Sequence, residues 1–323
     1  MLTDPYARQF SYLRLSLTDA CNLKCQYCLP DGYKKKQAHN FLDVNEIQHV
    51  VSGFAELGIS KVRLTGGEPA LRKDLPQIIT AVASIPGITS VALTTNGLNL
   101  HKHINRWHSA GLTHLNVSVD SLNPAQFKLI TGSNQFIQIM DGIEQAIALG
   151  LTVKMNAVLM KGLNLHEWEQ FMAFIQTKPI TLRFIEVMQT LDNHAFFAAQ
   201  HVRGSEMYEQ LIQAGWQPVL GNISDGPAKT LWHPDFQGRI GFIMPYSKDF
   251  CTTCNRLRVS ARGALHTCLF AEAGSDLRYL LQSPQQQTAL KQKIVALVQQ
   301  KTPSHPLHEG GSGATSDLAM LGG

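Results

Sequence analysis

Six short segments of the chain have the composition typical of β-strands, and segments with helical periodicity separate them. The clearest helical segment carries one apolar stripe from Val44 to Leu57, and a second stripe runs from Phe136 to Ile147. This repeated strand–helix alternation predicts parallel strands joined by right-handed crossovers. The predicted strands cover residues 12–18, 61–65, 90–95, 114–120, 152–159 and 181–187.

Most of these strands have one polar and one apolar face. In the first, Arg14, Ser16 and Thr18 alternate with leucines and therefore share a face. A flat sheet covered by helices on both sides would need two apolar faces, and a closed eight-stranded barrel normally fills its interior with side chains. We therefore predict an α/β fold with an incomplete (β/α)6 TIM-like barrel around a polar lumen. The other polar faces carry Arg63 and Thr65, then Asn116, Ser118 and Asp120, then Lys154 and Asn156.

The pattern changes after about residue 188. Short strand-like pieces at 239–244, 257–261 and 264–268 replace the strand–helix alternation, and a last helix is predicted near 286–300. We therefore predict two regions, a partial barrel over 1–190 and a C-terminal region over 191–323. The polar, glycine-rich end of the chain is predicted to be a flexible tail.

Composition and charge exclude several classes of protein. The 323 residues carry a formal net charge of +4 without a run of clustered lysines and arginines, which argues against a nucleic-acid binder. No stretch approaches the roughly 18 apolar residues that span a bilayer. The first residues lack a basic segment followed by an apolar one, so no secretory signal is visible. We expect a cytoplasmic protein with no membrane partner.

The six cysteines fall into two groups of three, and the first group follows the first predicted strand. Cytosolic cysteines are more often ligands or catalysts than disulfides. Cys21, Cys25 and Cys28 have the spacing C-x3-C-x2-C, and three thiolates on a four-iron cube leave one iron open for a cofactor. Zinc usually takes four protein ligands in paired spacing, and a redox pair at Cys25 and Cys28 would not need the third cysteine. The spacing favours the open cluster over these alternatives.

The second group, Cys251, Cys254 and Cys268, has the spacing C-x2-C-x13-C. Structural zinc, with His266 as a fourth ligand, is at least as consistent with this spacing as a second iron–sulfur cluster.

The same segment contains several cations. If it faces the mouth of the barrel, its arginines converge with the polar faces of the strands, and such a density of cations suits a polyanion such as a triphosphate. The six candidates are Arg14, Arg63, Lys154, Arg256, Arg258 and Arg262.

The first cysteine loop, with Tyr27 between its last two cysteines, resembles that of the radical S-adenosylmethionine superfamily. TGGEP at 65–69 looks like the glycine-rich element of the same superfamily, and glycines there allow close backbone approach. The resemblance implies a [4Fe-4S] cluster on Cys21, Cys25 and Cys28, which would be catalytic. It also implies that S-adenosylmethionine contacts Tyr27, Gly67, Ser118 and Met188.

Over essentially its whole length the chain is similar to the GTP 3′,8-cyclase family, which catalyses the first step of molybdenum cofactor biosynthesis. The resemblance is carried by LRLSLTDACNLKCQYC, RLTGGEPALRKDL, TTNG, NVSVDSL, VKMNAVLMKG, RFIEVM, CTTCNRLRVSARGALHTCL and the terminal GlyGly. It implies a second [4Fe-4S] cluster on Cys251, Cys254 and Cys268 that binds the guanine base, and a C-terminal Gly322 and Gly323 that reach the active site. The residues that it assigns to GTP are Arg14, Arg63, Thr94, Lys154, Arg256, Leu257 and Arg258, with Arg256 and Arg258 also catalytic.

The same resemblance implies the partners. They are GTP, a flavodoxin- or ferredoxin-like electron donor, the downstream cyclic pyranopterin monophosphate synthase and a second copy of the chain in a homodimer. Two rival readings are another radical enzyme with an auxiliary cluster, such as a peptide-modifying one, and a non-catalytic zinc scaffold. The peptide-modifying enzymes commonly carry more than three cysteines in the C-terminal part. The bound metal would distinguish the zinc scaffold from the radical enzymes, because an iron–sulfur protein is brown and a zinc protein is colourless.

Overall fold

The structure is a computed structural model that describes residues 1–34, 40–221, 226–271, 273–313 and 318–322. One large sheet passes through the molecule, and a separate pair of short strands, β1 and β2, precedes it. The strands of the described residues are β1 Leu2–Thr3, β2 Gln9–Phe10, β3 Tyr12–Ser16, β4 Lys61–Thr65, β5 Ser90–Thr95, β6 His114–Ser118, β7 Thr152–Leu159, β8 Thr181–Glu186, β9 Gln217–Pro218, β10 Lys229–Trp232, β11 Arg239–Ile243, β12 Arg256–Val259, β13 Ala264–His266 and β14 Ser275–Asp276.

Helices follow most of the strands in the first two thirds of the chain. Their bounds are α1 Val44–Glu56, α2 Leu75–Ala83, α3 Leu100–Ser109, α4 Pro124–Thr131, α5 Phe136–Ala148, α6 Trp168–Thr177, α7 His194–Gln200, α8 Gly204–Gln213 and α9 Gln287–Val298. Within the described ranges, no helix is long and apolar enough to cross a membrane.

The six predicted strands are β3 to β8, and they lie side by side in chain order with every neighbouring pair parallel. The incomplete β/α barrel predicted from the sequence is therefore confirmed. Two stripes of apolar residues likewise correspond to α1 and α5.

The C-terminal region extends this parallel array at both edges, which the sequence analysis did not predict. β11 pairs in parallel with β8, and β12 pairs in parallel with β3. The remaining order of the sheet is β14-β13-β12 at one edge and β11-β10-β9 at the other. The division of the chain at residue 190 stays a prediction, because the same sheet continues into residues on both sides of it.

Apolar side chains fill the space between the strands and the surrounding helices. Leu13 and Leu15 of β3 are fully buried, as are Val50 and Phe54 of α1, and all belong to one apolar cluster. This is the outer face of the sheet, where burial of apolar area supplies most of the stabilisation. The inner face is left to the polar residues.

Helix α1 has well-defined contacts at its start and along its length. Asp43 accepts a hydrogen bond from the backbone N–H of Glu46, whose side chain accepts one from Asp43 in return. Glu46 also pairs with Arg278 at 2.7 Å. On the same helix a Cβ at Gly53 would lie 2.8 Å from Leu290 of α9. A bare glycine therefore allows the last helix to pack closely on the first, which holds the C-terminal region against the barrel.

Candidate active site

The first cysteine loop leaves the carboxyl end of β3 and lies directly on the loop that follows β4. The backbone N–H of Gly67 donates to the carbonyl oxygen of Thr18 at 2.8 Å, and that of Glu68 donates to Ala20 at 2.8 Å. A Cβ on Gly67 would lie 2.3 Å from the carbonyl oxygen of Ala20, which is closer than real Cβ contacts. Glycine at this position therefore permits the two loops to touch.

Glu68 joins this loop to the end of β5. Its carboxylate is 1% exposed and accepts from the backbone N–H of Asn96 at 2.6 Å and from the Thr95 hydroxyl at 2.8 Å. The Asn96 side chain in turn donates to Asn22, beside the first cysteine, at 2.8 Å. Glu68 and Asn96 were not among the site residues predicted from the sequence, although a carboxylate inside a glycine-rich loop was a visible signal.

Tyr27 is held in place by Asp120, at the end of β6. Its hydroxyl donates to Asp120 Oδ2 at 3.0 Å, while Asp120 Oδ1 accepts from the backbone N–H of Val158 at 2.8 Å. Burial raises the pKa of Asp120 to about 6. Burial also raises the pKa of the Cys25 thiol. A bound metal would reverse this effect, because a coordinating thiol loses its proton.

These elements surround a cavity at the carboxyl end of the strands, which we call the cofactor cavity. All the residues that the sequence resemblance assigned to the first cluster and to S-adenosylmethionine line it. The last described segment of the chain also contributes to the wall, through Leu318 and Ala319. The predicted residues brought together here are Cys21, Cys25, Tyr27, Cys28, Gly67, Ser118 and Met188.

A second cavity, the basic cavity, lies inside the barrel toward the amino ends of the strands. The second cysteine group lines it, as do Thr94 and Tyr12. Its described lining contains no aspartate or glutamate. The cations are Arg8, Arg14, Lys61, Arg63, Lys154, Arg183, Arg256, Arg258 and Lys301, and the cysteines are Cys251, Cys254 and Cys268.

Four of these cations were missed by the sequence analysis. Lys61 and Arg183 could have been found, because strand alternation places Lys61 with Arg63 and makes Arg183 an inward residue of β8. Arg8 and Lys301 lie outside the main strands, and no local pattern marks them.

Burial of so many cations has an electrostatic cost. Desolvation lowers the pKa of Arg14 to about 9, with neighbouring arginines adding to the effect. It also lowers the pKa of Arg183 to about 9. Buried charges of one sign are stable only when a counter-charge accompanies them. The cavity is therefore suited to a polyanion.

Tyr12 lies among the cations of this cavity. It is 3% exposed, and its hydroxyl accepts a hydrogen bond from Arg63 Nε. Burial opposes ionisation of the phenol, but Arg63 and Arg14 outweigh it and lower the pKa of Tyr12 to about 7.

The second cysteine loop is fixed by the buried Arg8. Its guanidinium donates to the carbonyl oxygens of Cys251 at 3.0 Å and Pro303 at 2.8 Å, and it pairs with Asp4 at 2.6 Å. Burial raises the pKa of the Cys254 thiol, but Arg256 and Lys301 outweigh it and lower that pKa to about 6. This thiol is therefore largely a thiolate near neutral pH, which is the form that binds metal.

The two cysteine groups lie at opposite ends of the barrel. Cys21 follows the carboxyl end of β3, whereas Cys254 precedes the amino end of β12, whose Arg256 is the register partner of Tyr12. About 13 Å of strand separates these levels. The two cavities nevertheless meet, because Thr94, Asn156, Ile185 and Met188 line both.

Two predicted residues are not brought to the basic cavity. Leu257 is fully buried in the apolar cluster outside the sheet, because strand alternation turns it away from Arg256 and Arg258. Arg262 pairs with Asp19 at 2.8 Å and does not line the cavity. Placing Arg262 among the converging cations was therefore wrong.

The end of the chain reaches the barrel. The carbonyl oxygen of Gly322 accepts a hydrogen bond from Arg14, and a Cβ on Gly322 would lie 2.3 Å from the Thr65 hydroxyl. This contact agrees with the resemblance rather than with the flexible tail expected from composition. Gly323 lies outside the described residues.

Comparisons with known proteins match both halves of the chain. The Radical SAM superfamily matches residues 15–175, and Molybdenum Cofactor Synthesis C matches residues 180–307. A GTP 3′,8-cyclase of Vibrio cholerae serotype O1 is 56% identical over 323 residues, covering 99% of this chain and 97% of the relative. The chain belongs to the GTP 3′,8-cyclase family. A second cyclase of the family, from Tolumonas auensis, is 52% identical and covers 100% of this chain and 96% of its own.

Two solved structures of other proteins share the fold of this chain. Streptococcus suis SuiB bound to S-adenosylmethionine aligns with a TM-score of 0.63 at 11% identity, covering 92% of this chain and 76% of that one. Native anSMEcpe with bound AdoMet and Cp18Cys peptide aligns with a TM-score of 0.54 at 13% identity, covering 96% and 92%. Both likenesses concern the fold alone.

The chain belongs to the radical S-adenosylmethionine superfamily. This implies that it binds a [4Fe-4S] cluster and S-adenosylmethionine. The residues present fit that pair. Cys21, Cys25 and Cys28 form no disulfide and line one cavity, and Gly66 and Gly67 line the same cavity beside them. In the described part of the chain, no three histidine, cysteine, aspartate or glutamate side chains are grouped to hold a single metal ion.

Proposed function

We propose that this chain cyclises GTP to (8S)-3′,8-cyclo-7,8-dihydroguanosine 5′-triphosphate, the first step of molybdenum cofactor biosynthesis. Family membership supports the reaction. The structural observation that supports this reaction is that the two cavities share four lining residues, which we call the common wall. They are Thr94, Asn156, Ile185 and Met188. A molecule held in one cavity would therefore lie next to a molecule held in the other.

The reaction places a simple demand on the protein. Hydrogen leaves ribose C3′, C3′ bonds to guanine C8, and one electron and one proton complete a product that is an isomer of GTP. When bound, the reduced cluster and S-adenosylmethionine supply the 5′-deoxyadenosyl radical that takes this hydrogen. The residues of this chain have to hold the two molecules in register, since misplacement of a reacting atom by 1 Å can cost about 10²-fold in rate.

The basic cavity provides the positioning of the triphosphate. Arg63 is 3% exposed and donates to the Thr94 hydroxyl at 3.2 Å, on the common wall. Arg256 and Arg258 lie on β12, which is separated from β4 by β3, and they are beside the second cysteine group. We assign triphosphate binding to the inward cations Arg14, Arg63, Lys154, Arg256 and Arg258, and we add Lys61 and Arg183.

The common wall also limits water near the reacting atoms. Ile185 and Met188 present apolar surface there, whereas Asn156 is held by Arg183, whose Nη2 donates to it at 2.7 Å. A reactive radical needs such shielding, because side reactions compete with the intended transfer.

The second cysteine group holds a second [4Fe-4S] cluster in this proposal. Three cysteines line the basic cavity, and the lowered pKa of Cys254 favours the thiolate that such a cluster needs. The open iron of that cluster would hold the guanine base. The further proposed partners are a flavodoxin- or ferredoxin-like donor, cyclic pyranopterin monophosphate synthase as consumer of the product, and a second copy of the chain. Six reduced cysteines suit a cytoplasmic location.

Anaerobic turnover tests the proposal. The protein is reconstituted with iron and sulfide, reduced, and given S-adenosylmethionine with each of the four ribonucleoside triphosphates, and the products are identified by mass spectrometry. We expect 5′-deoxyadenosine and a cyclised product only with GTP. Cleavage of S-adenosylmethionine with no altered nucleotide would refute the substrate, and no cleavage despite a full iron complement would refute the radical reaction.

Single substitutions separate the two cavities. Arg256→Ala should reduce cyclised product by about 10- to 100-fold, the value of one charge-assisted hydrogen bond. The same variant should keep cleavage of S-adenosylmethionine without GTP. Cys25→Ser should abolish both reactions. Arg106→Ala, an exposed position on α3, is the matched control and should change neither.

A further inference from the structure

An opening at the amino ends of the strands connects the basic cavity with the surface. We call it the basic cleft. The first residues of five parallel strands line it, which places it at the opposite end of the barrel from the first cysteine loop. These residues are Lys61, His114, Thr152, Thr181 and Arg239.

The two sides of the cleft come from different parts of the chain. Residues 218–221 and 228–230, around β9 and β10, form one side. Residues 7–9 and 252–255, beside the second cysteine loop, form the other. The cleft therefore lies between the β9–β10 edge of the large sheet and the second cysteine loop, at the amino ends of the strands.

The cleft is continuous with the basic cavity. Both are lined by Arg8, Lys61, Lys154 and Arg183, and Cys254 of the second cysteine group also lines both. A molecule in the cleft therefore already faces the cations that we assign to the triphosphate.

The outer part of the cleft carries two more cations. Lys229 and Arg239 line the cleft but not the basic cavity, and both are exposed. The described residues of the cleft include no aspartate or glutamate. A concave surface of one charge sign concentrates ligands of the opposite sign and speeds their association.

The other end of the barrel offers a poorer route. There the cofactor cavity lies between the surface and the basic cavity, with Leu318 and Ala319 of the last described segment on its wall. Gly322 of the same segment lies against Thr65 and Gly66, which also line the cofactor cavity. A nucleotide arriving from that side would have to pass through the space assigned to S-adenosylmethionine.

We propose that the nucleoside triphosphate reaches its site through the basic cleft, where Lys229 and Arg239 attract it before the buried cations bind it. This inference rests on the proposed function, since it takes GTP as the molecule that the basic cavity holds. With this route, GTP and S-adenosylmethionine use opposite ends of the barrel. GTP should therefore bind and leave while S-adenosylmethionine is in place.

The test measures the association rate of GTP with the reconstituted enzyme. Stopped-flow mixing with a fluorescent GTP, displaced by unlabelled GTP, is carried out on the wild type and on the double variant Lys229→Glu with Arg239→Glu. We expect the association rate constant to fall about tenfold at low ionic strength and by less than about twofold at about 0.5 M salt, where the Debye length is short. The association rate constant of the wild type with saturating S-adenosylmethionine should lie within about twofold of its value without S-adenosylmethionine.

The controls keep the two proposals separate. Lys102→Glu reverses an exposed charge on α3, away from the cleft, and should leave the association rate unchanged. Cleavage of S-adenosylmethionine without GTP reports whether each variant is folded, and Lys229→Gln with Arg239→Gln replaces the first pair if it is not. An unchanged association rate in a folded variant, or a wild-type rate blocked by S-adenosylmethionine, would overturn the route. If the wild type did not bind GTP at all, the proposed function itself would fail.

Discussion

Replacing Gly67 by alanine tests the contact between the two loops that form the cofactor cavity. The added Cβ would lie 2.3 Å from the Ala20 carbonyl oxygen, 2.6 Å from the Ala20 carbonyl carbon and 2.7 Å from the Asp19 carbonyl oxygen. All three are backbone atoms, so no side chain can rotate away. Since non-bonded heavy atoms prefer separations of about 3.5 Å, the loops must move apart by roughly 1 Å.

This movement has two costs. It stretches the hydrogen bonds that Gly67 and Glu68 donate to Thr18 and Ala20, each worth about 1 kcal/mol, and overpacking of this kind costs about 1–3 kcal/mol of stability. It also displaces Cys21, the residue after Ala20. A displacement of 1 Å at a reacting group costs about 10²-fold in rate. We therefore expect cleavage of S-adenosylmethionine to fall by about 100-fold while the protein still folds.

The assay is formation of 5′-deoxyadenosine under reducing conditions without GTP, beside the iron content of the reconstituted protein. Gly162→Ala is the matched control, because its Cβ would meet only the flexible end of the Gln200 side chain, at 3.2 Å. Gly67→Ala with the wild-type rate of cleavage would refute the reasoning, since it would show that the loops can separate without disturbing the site.

Three further substitutions test other parts of the structure. Tyr12→Phe removes a phenol whose pKa of about 7 makes it neutral below and negative above that pH. The affinity of the wild type for GTP, relative to that of the variant, should therefore fall by about three- to tenfold as the pH rises from 6 to 8. Parallel KM–pH profiles of the two proteins would contradict this. Glu68→Gln keeps the size but replaces one acceptor oxygen that Thr95 or the Asn96 N–H uses, so unfolding by urea should show a loss of about 1–3 kcal/mol. Phe171→Ala removes a fully buried ring from the outer core and should cost about 3–5 kcal/mol by the same measurement, with no change in the KM for GTP.

Local patterns were sufficient for most of the barrel. The segments 61–65, 90–95 and 152–159 are strands with the bounds predicted for them. Alternation within a strand and spacing within a helix are short-range properties, and the inner polar face of β3 follows from its alternating leucines. The same rule would have placed Lys61 and Arg183 in the basic cavity.

Long-range pairing was the part that the sequence could not supply. Nothing in the piece at 239–244 indicates that it pairs with β8, and nothing around Arg256 indicates that its strand pairs with β3. Arg8 is a similar case, because its partners Cys251 and Pro303 lie near the other end of the chain. Such contacts depend on the complete fold. Only the family resemblance led to the prediction that both cysteine groups serve one site.

The pairing of β12 with β3 also affects how the protein is made. Arg256 lies opposite Tyr12, so the first strand of the barrel acquires its outer neighbour only after most of the chain has been translated. At about 5–20 residues per second, this edge waits for roughly 10–50 s on the ribosome. An unpaired strand edge is a template for aggregation. Chains interrupted before residue 256 should therefore be insoluble or bound to chaperones.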